Sequence, residues 1–591
     1  MVASVSIAGS TGSIGTQALE VIAAEPAVKP YLVPRLHALF RLDGEAGVYV
    51  SLGRAVRLDP PQQALLRAVD GSRTVLDIAE AAGLESDVAA SEIARLVRAR
   101  ILHCAIEVPS TVFHPLEHLR EWVEALPAAC EPRERWLAEI EGFDALRVAF
   151  RDGSLEDRDR IMAEMERRFT ELTGDAPRRG SGQTYADRTL LYEECSGPNV
   201  RFDFGVEFFA ELQRRLTPVL DLCAAHGALL QEIYRRLGRG VYDTLAHDGS
   251  PVPYALFVRE TQRRQAAGEL HVDGPSLGAL RDGLHALVEA RSDGHVARLT
   301  RDDLAGALAG APAETGSHLS PDIMLAAVDG DALRRGDYQV VLGEVHQVIY
   351  VWGSQLYFHP ERERVERECW ERVRRIPGYE GLATVLSERQ HKGLLFESFP
   401  GTMIEVAAPA SGRARRRLPI SSLVVALDDE RLVLREAETG EELVLYTAGD
   451  EQVHLWALAV PRAMPIAVRL GAHTPRVELD GTIYQRERWT LAAAEWGDRR
   501  GGLSLAELIV RTEAVRRRHE LPRRVFIHSP SEPKPFYMDF ASPLALRQLR
   551  QLLSVDDQIV LTEMEPGPDR LWLEQPDGRV CCEFRLTAFR S

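Results

Sequence analysis

The sequence has few lysines, no paired-cysteine motif and no long apolar run. Only Lys29, Lys392 and Lys534 are lysines, and the net charge of −17 excludes a protein whose whole surface attracts nucleic acid. The seven cysteines form no CxxC pair, so we expect unpaired thiols in a reducing compartment and predict no metal site. No apolar run approaches the roughly 18 residues that a membrane-spanning helix needs. Because the first residues also lack the basic start of a signal peptide, we expect a cytoplasmic protein without a membrane span.

The length predicts several domains, because 591 residues are too many for one hydrophobic core. The order of strand-like and helix-like patterns predicts an α+β, multi-domain protein with four parts. Residues 1–30 hold a glycine-rich remnant of a dinucleotide motif, and residues 35–110 form a winged-helix peptide-recognition module. Residues 111–395 are mainly helical, and residues 396–591 are rich in β-strands.

The opening residues, VSIAGSTGSIGTQALEVI from Val5 to Ile22, pass from a β-prone run through a glycine-rich turn into a helix-prone run. Such a turn seats a dinucleotide pyrophosphate at a helix N-terminus. The string resembles the start of 1-deoxy-D-xylulose 5-phosphate reductoisomerase, an NADPH enzyme. The resemblance ends near Pro26, where a cofactor domain needs further βα units, so we expect a remnant. Its weak cofactor-binding candidates are Gly9, Gly12 and Gly15.

The module at residues 35–110 alternates short strand-like runs with three helix-like runs, which is the pattern of a winged helix. Its string VDGSRTVLDIA resembles the peptide-recognition element of peptide-modifying enzymes, in which the leader of a precursor adds a strand beside the wing. DNA binding is the alternative, although the third helix lacks amide side chains for base edges. The expected leader-peptide contacts are Val48, Val50, Ile93, Leu96 and Val97.

The mainly helical part carries long amphipathic runs and two polar segments. The run SLEDRDRIMAEMERRFTELTG predicts a helix that begins after Ser154 and ends at Gly174. After it, YADRTLLYEEC passes from a loop into a strand. The later run QVVLGEVH predicts a strand that places Glu344 and His346 on one face, because side chains in strands repeat every two residues.

The distal part has short strands separated by Gly, Asp and Pro. The run SLVVALDDERLVLREAETGEELVLY predicts a β-meander with turns at 428–429 and 439–440. A later helix is predicted to have Ser542 as its cap and Pro543 at its first position.

Several of these strings follow one another in the order found in lantibiotic dehydratases. YADRTLLYEEC, LGEVH followed by LYFHP, LPRRVFI, KPFYMDFASP and TEMEPGPDRLWL are similar to segments of that family's glutamylation domain. The resemblance implies that an aminoacyl-tRNA, expected to be glutamyl-tRNA, is the co-substrate. Its carboxyl would pass to a Ser or Thr hydroxyl of a ribosomally made precursor peptide, as in lantibiotic- or thiopeptide-type biosynthesis. A general base would assist, and no cofactor is expected.

The resemblance also implies site residues. The expected catalytic residues are Arg188, Glu194, Glu344 and His346, with Glu194 standing where the family has an aspartate. Clustered arginines are the expected phosphate contacts. The tRNA-binding candidates are Arg413, Arg415, Arg416, Arg417, Arg476 and Arg486.

Three functions therefore stay open for the chain. The first is tRNA-dependent aminoacylation of a peptide, either active with a separate elimination-domain protein or inactive because the family's upstream arginine string has no counterpart here. The second is a non-catalytic partner that binds the leader peptide, and the third is an NADPH-dependent oxidoreductase. A homodimer is possible in each case.

Overall fold

The computed structural model describes residues 2–7, 13–109, 111–177, 190–196, 204–312, 317–353, 356–386, 397–406, 410, 412, 414–446, 452–497, 504–576 and 578–590. Its helices are α1 (Ser13–Ala24), α2 (Pro60–Ala68), α3 (Val75–Ala82), α4 (Ser86–Arg98), α5 (Pro115–Glu124), α6 (Arg133–Asp152), α7 (Leu155–Thr173), α8 (Val206–Leu245), α9 (Tyr254–Ala266), α10 (Pro275–Arg291), α11 (Arg301–Leu308), α12 (Gly330–Arg334), α13 (Arg362–Val373), α14 (Val453–Trp456), α15 (Leu505–Arg518) and α16 (Pro543–Val555). Among the helices within these ranges, none is long and apolar enough to cross a membrane.

The first strands are β1 (Val2–Ile7), β2 (Arg35–Leu36), β3 (Phe40–Asp43), β4 (Ala46–Tyr49), β5 (Arg54–Arg57), β6 (Leu102–His103), β7 (Leu191–Ser196), β8 (Val252–Pro253), β9 (Val296–Leu299), β10 (Ser317–Ala326), β11 (Gln339–His346), β12 (Leu382–Leu386), β13 (Thr402–Glu405) and β14 (Arg416–Pro419). The later strands are β15 (Leu423–Asp428), β16 (Arg431–Glu436), β17 (Glu442–Leu445), β18 (His473–Thr474), β19 (Arg476–Leu479), β20 (Thr482–Gln485), β21 (Arg488–Ala492), β22 (Arg524–His528), β23 (Phe536–Asp539), β24 (Gln558–Glu563), β25 (Leu573–Gln575), β26 (Gly578–Val580), β27 (Glu583–Arg585) and β28 (Ala588–Arg590). This mixture confirms the predicted α+β class.

The chain forms two compact units, each built from separate stretches of sequence. The first unit comprises Met1–Phe202, Tyr234–His271 and Val348–Val460. The second comprises Asp203–Ile233, Val272–Gln347 and Pro461–Ser591. The multi-domain organisation is therefore confirmed. The boundaries predicted near residues 30, 110 and 395 coincide with none of these limits and stay predictions.

The opening strand of the first unit has a different partner from the one that a dinucleotide fold requires. β1 pairs antiparallel with β7 in a two-stranded sheet, whereas a cofactor domain continues as a parallel sheet. The helix that follows buries Leu19 and Ile22 against Val123 and Trp136, so it belongs to the packing of this unit. Gly15 lies in α1, and Gly9 and Gly12 fall outside the described residues. The described pairing gives no support to an NADPH site.

The predicted recognition module, residues 35–110, contains three strands followed by three helices. β3, β4 and β5 form an antiparallel meander, and β2 pairs with β6. The helices α2, α3 and α4 cover a core that includes Leu65 and Ile78. Gly83 ends α3 at φ 66°, which a residue without Cβ adopts without strain. The three helices lie where the apolar periodicity predicted them.

The remaining sheet of the first unit has the strand order β14-β13-β12-β17-β16-β15-β8. The meander β15–β16–β17 within it is antiparallel, as the sequence predicts. Helix α7 also follows prediction: Ser154 caps it with a capping box to Asp157, and Gly174 ends it at φ 75°.

The second unit contains two larger sheets. One has the order β27-β10-β11-β20-β19-β9, with β28 also pairing with β10, and the other has the order β18-β21-β24-β22-β23. The helix α16, capped at Ser542 with Pro543 at its first turn, packs Leu549 against the second sheet. The strand β10 is buried along nearly its whole length and includes the acidic residue Asp322. Because a buried carboxylate needs a partner, we expect a polar or charged group beside Asp322.

Candidate active site and peptide groove

A bulge distorts the pairing of β10 with β11. The register shifts beside Asp322, so that Gly343 and Glu344 of β11 face this one residue of β10. Bulges re-aim side chains and occur often next to active sites. A Cβ atom on Gly343 would lie 3.1 Å from the carbonyl oxygen of Asp322, so glycine permits the close approach. The bulge places polar side chains of both strands at one point.

His346 joins two carboxylates at this bulge. Its Nε2 lies 3.0 Å from Oδ2 of Asp322 and 3.4 Å from Oε2 of Glu344. The side chain of Asp322 is 4% exposed and that of Glu344 is 81% exposed, so His346 connects a buried acid with an acid in solvent. The hydrogen bond with Asp322 outweighs desolvation and raises the pKa of His346, with further contributions from both carboxylate charges. The group can therefore hold or pass a proton near neutral pH.

Arg585 completes the cluster from the other side of β10. It is the register partner of Asp322 on β27, and its Nε lies 3.8 Å from Oδ2 of Asp322. Sequence reasoning identified Glu344 and His346 but missed Asp322 and Arg585. The sequence did contain a signal for Asp322, since it is an acidic residue within the apolar run SPDIML. Acidic side chains are rarely buried without a partner.

The other two predicted catalytic residues belong to the first unit by sequence. Glu194 lies on β7 opposite Ser4 of β1, and Arg188 falls outside the described residues. The neighbouring Glu193 forms an ion pair with Arg158 at 3.1 Å, with both side chains about 30% exposed. Exposed pairs of this kind contribute about 0–1 kcal/mol. Catalytic roles for Glu194 and Arg188 stay predictions.

A groove of about 390 Å³ opens in the recognition module beside β5 and α4. Its lining includes Tyr49, Leu52, Arg54, Val56, Arg57 and Arg95. Within the described part of the chain, β5 pairs only with β4, which leaves its other edge for an added strand. The groove therefore combines a strand edge with apolar and cationic side chains.

The residues predicted to contact a leader peptide mostly pack into apolar cores of the first unit. Ile93 and Leu96 are 3% and 1% exposed, because the apolar stripe of α4 packs into the core of the module. Val50 is 3% exposed and packs into a different core of the first unit, which also contains Val241. Val48 and Val97 are half-buried. Of the five, only Leu96 reaches the lining of the groove.

Two of the predicted tRNA-binding arginines form a cationic pair at a sheet edge. Arg415 and Arg417 are exposed at the start of β14, the edge strand of its sheet. Between them, Arg416 forms ion pairs with Glu436 at 2.7 Å and Glu441 at 2.8 Å. Arg413 falls outside the described residues. Among the three described arginines of this cluster, Arg415 and Arg417 are the exposed ones.

The other two predicted tRNA-binding arginines bind protein groups instead. Arg476 donates to both carboxylate oxygens of Glu563, at 2.8 and 2.6 Å, and to Glu565 at 2.9 Å. Arg486 donates to the backbone carbonyls of Glu565 and Leu342. These hydrogen bonds occupy the guanidinium groups of both arginines. Arg476 and Arg486 therefore stabilise the contacts between strands of the second unit.

A second group of cations, missed by sequence reasoning, surrounds Arg488. The Nε of Arg488 is buried without a hydrogen-bond partner. Burial, followed by the positive charge of Arg469, lowers the pKa of Arg488. Burial, followed by Arg488 and Arg469, also lowers the pKa of His528. A cluster in which positive charges lower the pKa of neighbouring cationic groups is a place where an anion is favoured.

Comparisons with known proteins agree on the family and the fold. The family model "Lantibiotic dehydratase, N terminus" matches residues 16–549. The structure of the tRNA-dependent lantibiotic dehydratase MibB from Microbispora sp. 107891 aligns with a TM-score of 0.70 and 17% identity, covering 95% of this chain and 57% of that chain. This chain therefore spans little more than half the length of MibB. A comparison with curated proteins finds no match.

Two structures of the glutamylation domain TbtB from thiomuracin biosynthesis are also similar. The first aligns with a TM-score of 0.66 and 19% identity over 99% of this chain and 73% of that chain. The second, bound to 5'-phosphodesmethylglutamycin, aligns with a TM-score of 0.67 and 18% identity over 100% of this chain and 74% of that chain. At these identities the likeness establishes a shared fold.

Proposed function

Because this chain belongs to the lantibiotic dehydratase family, we propose that it transfers an aminoacyl group, glutamyl in the first instance, from tRNA to a Ser or Thr of a ribosomally made precursor peptide. The observation that carries the proposal is the match of almost the whole chain to glutamylation-domain structures. No metal or nucleotide cofactor is required in this proposal, since the aminoacyl ester already supplies an activated carboxyl.

The groove beside β5 supports binding of the precursor's leader. An extended peptide would add a fourth strand at the open edge of β5, with main-chain hydrogen bonds giving affinity. Leu52, which is 51% exposed, and Val56 offer apolar contacts. Arg54 and Arg57 favour carboxylates on the peptide. The proposed ligand is an extended leader with apolar and acidic side chains.

The cluster at the bulge supports the chemical step. The Ser or Thr hydroxyl oxygen attacks the ester carbonyl carbon, and the bond from that carbon to the ribose oxygen breaks. The exposed carboxylate of Glu344 accepts the hydroxyl proton, while protonated His346 donates a proton to the ribose oxygen. Asp322 holds His346 in its charged form. The net result moves one proton from the peptide hydroxyl to the tRNA terminus.

The cationic groups support contact with tRNA phosphates. Arg415 and Arg417 face solvent at a strand edge, and Arg488 has a buried Nε without a partner. Arginine forks match phosphate oxygens and give a salt-dependent affinity. These residues, each within its own unit, replace Arg476 and Arg486 as the proposed tRNA contacts. Dehydration of the product would require a separate elimination-domain protein.

The experiment incubates the full chain with a precursor peptide and charged glutamyl-tRNA, and follows the peptide by mass spectrometry. The proposal expects a mass gain of one or more glutamyl groups. His346→Gln is expected to abolish this gain. The matched control is His519→Gln, since His519 also hydrogen-bonds a carboxylate, that of Glu495, within the second unit. Peptide binding without any mass gain would favour the non-catalytic partner instead.

A further inference from the structure

Two histidines and a glutamate from separate stretches of the second unit converge on one point. Nδ1 of His295 and Nε2 of His473 each lie 2.8 Å from the same oxygen, Oε1 of Glu487. Their ligand atoms all lie within 4.8 Å of one another. The side chain of Glu487 is 9% exposed, while those of His295 and His473 are 48% and 37% exposed. The cluster is therefore backed by protein and open to solvent on one side.

The positions of these residues are fixed by the surrounding sheet. The backbone N–H of Glu487 donates to Oε1 of Glu563 at 2.8 Å, and the backbone N–H of Glu563 donates to the carbonyl of Glu487 at 3.0 Å. The carbonyl of His295 accepts from the N–H of Arg476 at 2.8 Å. A backbone held in this way presents its side chains with little freedom, as a preformed ligand set requires.

Ring contacts fix the orientation of His473 as well. Its imidazole stacks on Trp489, with ring centroids 5.7 Å apart and planes inclined by 28°. His473 and Trp489 are also register partners of β18 and β21. The Nε2 of His473 therefore reaches Glu487 from a ring whose plane is set by its neighbour.

A fourth residue acts on the outer side of His295. Oε2 of Glu520 lies 3.0 Å from Nε2 of His295, while Nδ1 of the same ring faces Glu487. Metal-binding histidines commonly give their second ring N–H to a carboxylate, which fixes the tautomer and increases ligand basicity.

We propose that His295 Nδ1, His473 Nε2 and Glu487 Oε1 bind a divalent cation of the zinc class, with Glu520 orienting His295. Two imidazoles and one carboxylate suit Zn²⁺, whereas Mg²⁺ and Ca²⁺ take oxygen ligands. Zinc–nitrogen bonds of about 2.1 Å in a tetrahedron place ligand atoms about 3.4 Å apart. Metal binding would widen the two histidine–glutamate spacings of 2.8 Å and bring the two histidine nitrogens, which lie within 4.8 Å of each other, to about the same tetrahedral distance. Water would occupy the fourth position.

None of the four residues of this site was a candidate from the sequence, and no step of the transfer proposed above uses them. Its role would be to tie the turn before β9 to the strands β18 and β21. The proposal does not depend on aminoacyl transfer, so its test needs no peptide or tRNA.

The test titrates Zn²⁺ into the untagged, full-length chain after removal of metals with a chelator, using isothermal titration calorimetry. We expect one equivalent to bind, and His473→Gln and Glu487→Gln to remove that equivalent. Glu520→Gln is expected to weaken binding by about 10–100-fold, as the loss of an outer carboxylate does. The matched control is His271→Gln, an exposed histidine of the first unit, which should bind zinc like the wild type.

Unchanged binding in His473→Gln and Glu487→Gln would overturn the proposal, as would absence of binding to the wild type. The second measurement is the visible absorption of Co²⁺ bound to the wild-type chain, which needs no variant to fold. Intense d–d bands of tetrahedral coordination support the site. Weak bands of octahedral Co²⁺, or a thiolate charge-transfer band, would contradict it.

Discussion

The close approach of α8 to the backbone at Arg462 predicts opposite effects for two glycines of one helix. A Cβ atom on Gly227 would lie 1.6 Å from the carbonyl oxygen of Arg462, whereas one on Gly240 would meet nothing within 4 Å. Gly227→Ala therefore forces the Arg462 backbone to move by about 2 Å to reach ordinary contact. Overpacking costs typically about 1–3 kcal/mol, and backbone yields less readily than a side chain, so we expect a loss near or above 3 kcal/mol.

Gly240→Ala is the matched control, because it changes the same residue type in the same helix. Alanine is favoured over glycine inside a helix by about 1 kcal/mol, so this variant should gain stability. Thermal unfolding followed by calorimetry compares the two, and hydrogen exchange of the segment around Arg462 locates the effect. Equal melting temperatures for both variants, or a more stable Gly227→Ala, would refute the packing that the structure shows.

Three further predictions concern the site, the tRNA surface and pH. Asp322→Asn should lower the pKa of His346, which NMR of labelled histidine measures. The same variant should slow aminoacyl transfer by about 100-fold or more. An unchanged pKa of His346 would contradict its pairing with Asp322. Replacing Arg415 and Arg417 with Ala should reduce the slope of log affinity for tRNA against log salt by about one per lost phosphate contact, and an unchanged slope would exclude them. Burial lowers the pKa of His454 to about 4. We therefore expect the free energy of unfolding in urea to fall less for His454→Leu than for the wild type between pH 6.5 and 4. An equal fall in the two proteins would count against this prediction.

The pH dependence expected for His454 follows from its proton binding in the folded and unfolded chains. His454 is neutral in the folded chain down to a pH of about 4, whereas in the unfolded chain it takes up a proton below about pH 6.5. Its contribution to stability is therefore complete above pH 6.5 and falls as the pH decreases, by at most about 1.4 kcal/mol per pH unit.

Local patterns predicted the elements of the fold well. The capped helix between Ser154 and Gly174, the β-meander and the strand ending at His346 all lie where the sequence placed them. Each depends on residues near one another in the chain, such as a cap or an alternating strand. Periodicity and turn residues carry that information directly.

Contacts between distant elements were predicted less well. The pairing of β1 with β7 joins segments far apart in sequence, and strand period does not specify a partner. Asp322 reaches His346 only through the register shift of the bulge. The apolar stripe containing Ile93 was assigned to a ligand, yet the core of the module buries it. The zinc-class ligands His295 and Glu487 meet only in three dimensions.

The most direct test of aminoacyl transfer uses radiolabelled glutamate on tRNA. The full chain is mixed with the charged tRNA and a candidate precursor peptide encoded near its gene, and label in the peptide is measured after the tRNA is removed. We expect label to enter the peptide in an ester that mild base releases. Label should be lost when Ser and Thr of the peptide are replaced by Ala. Binding of the peptide with all label left on the tRNA would contradict the proposed function.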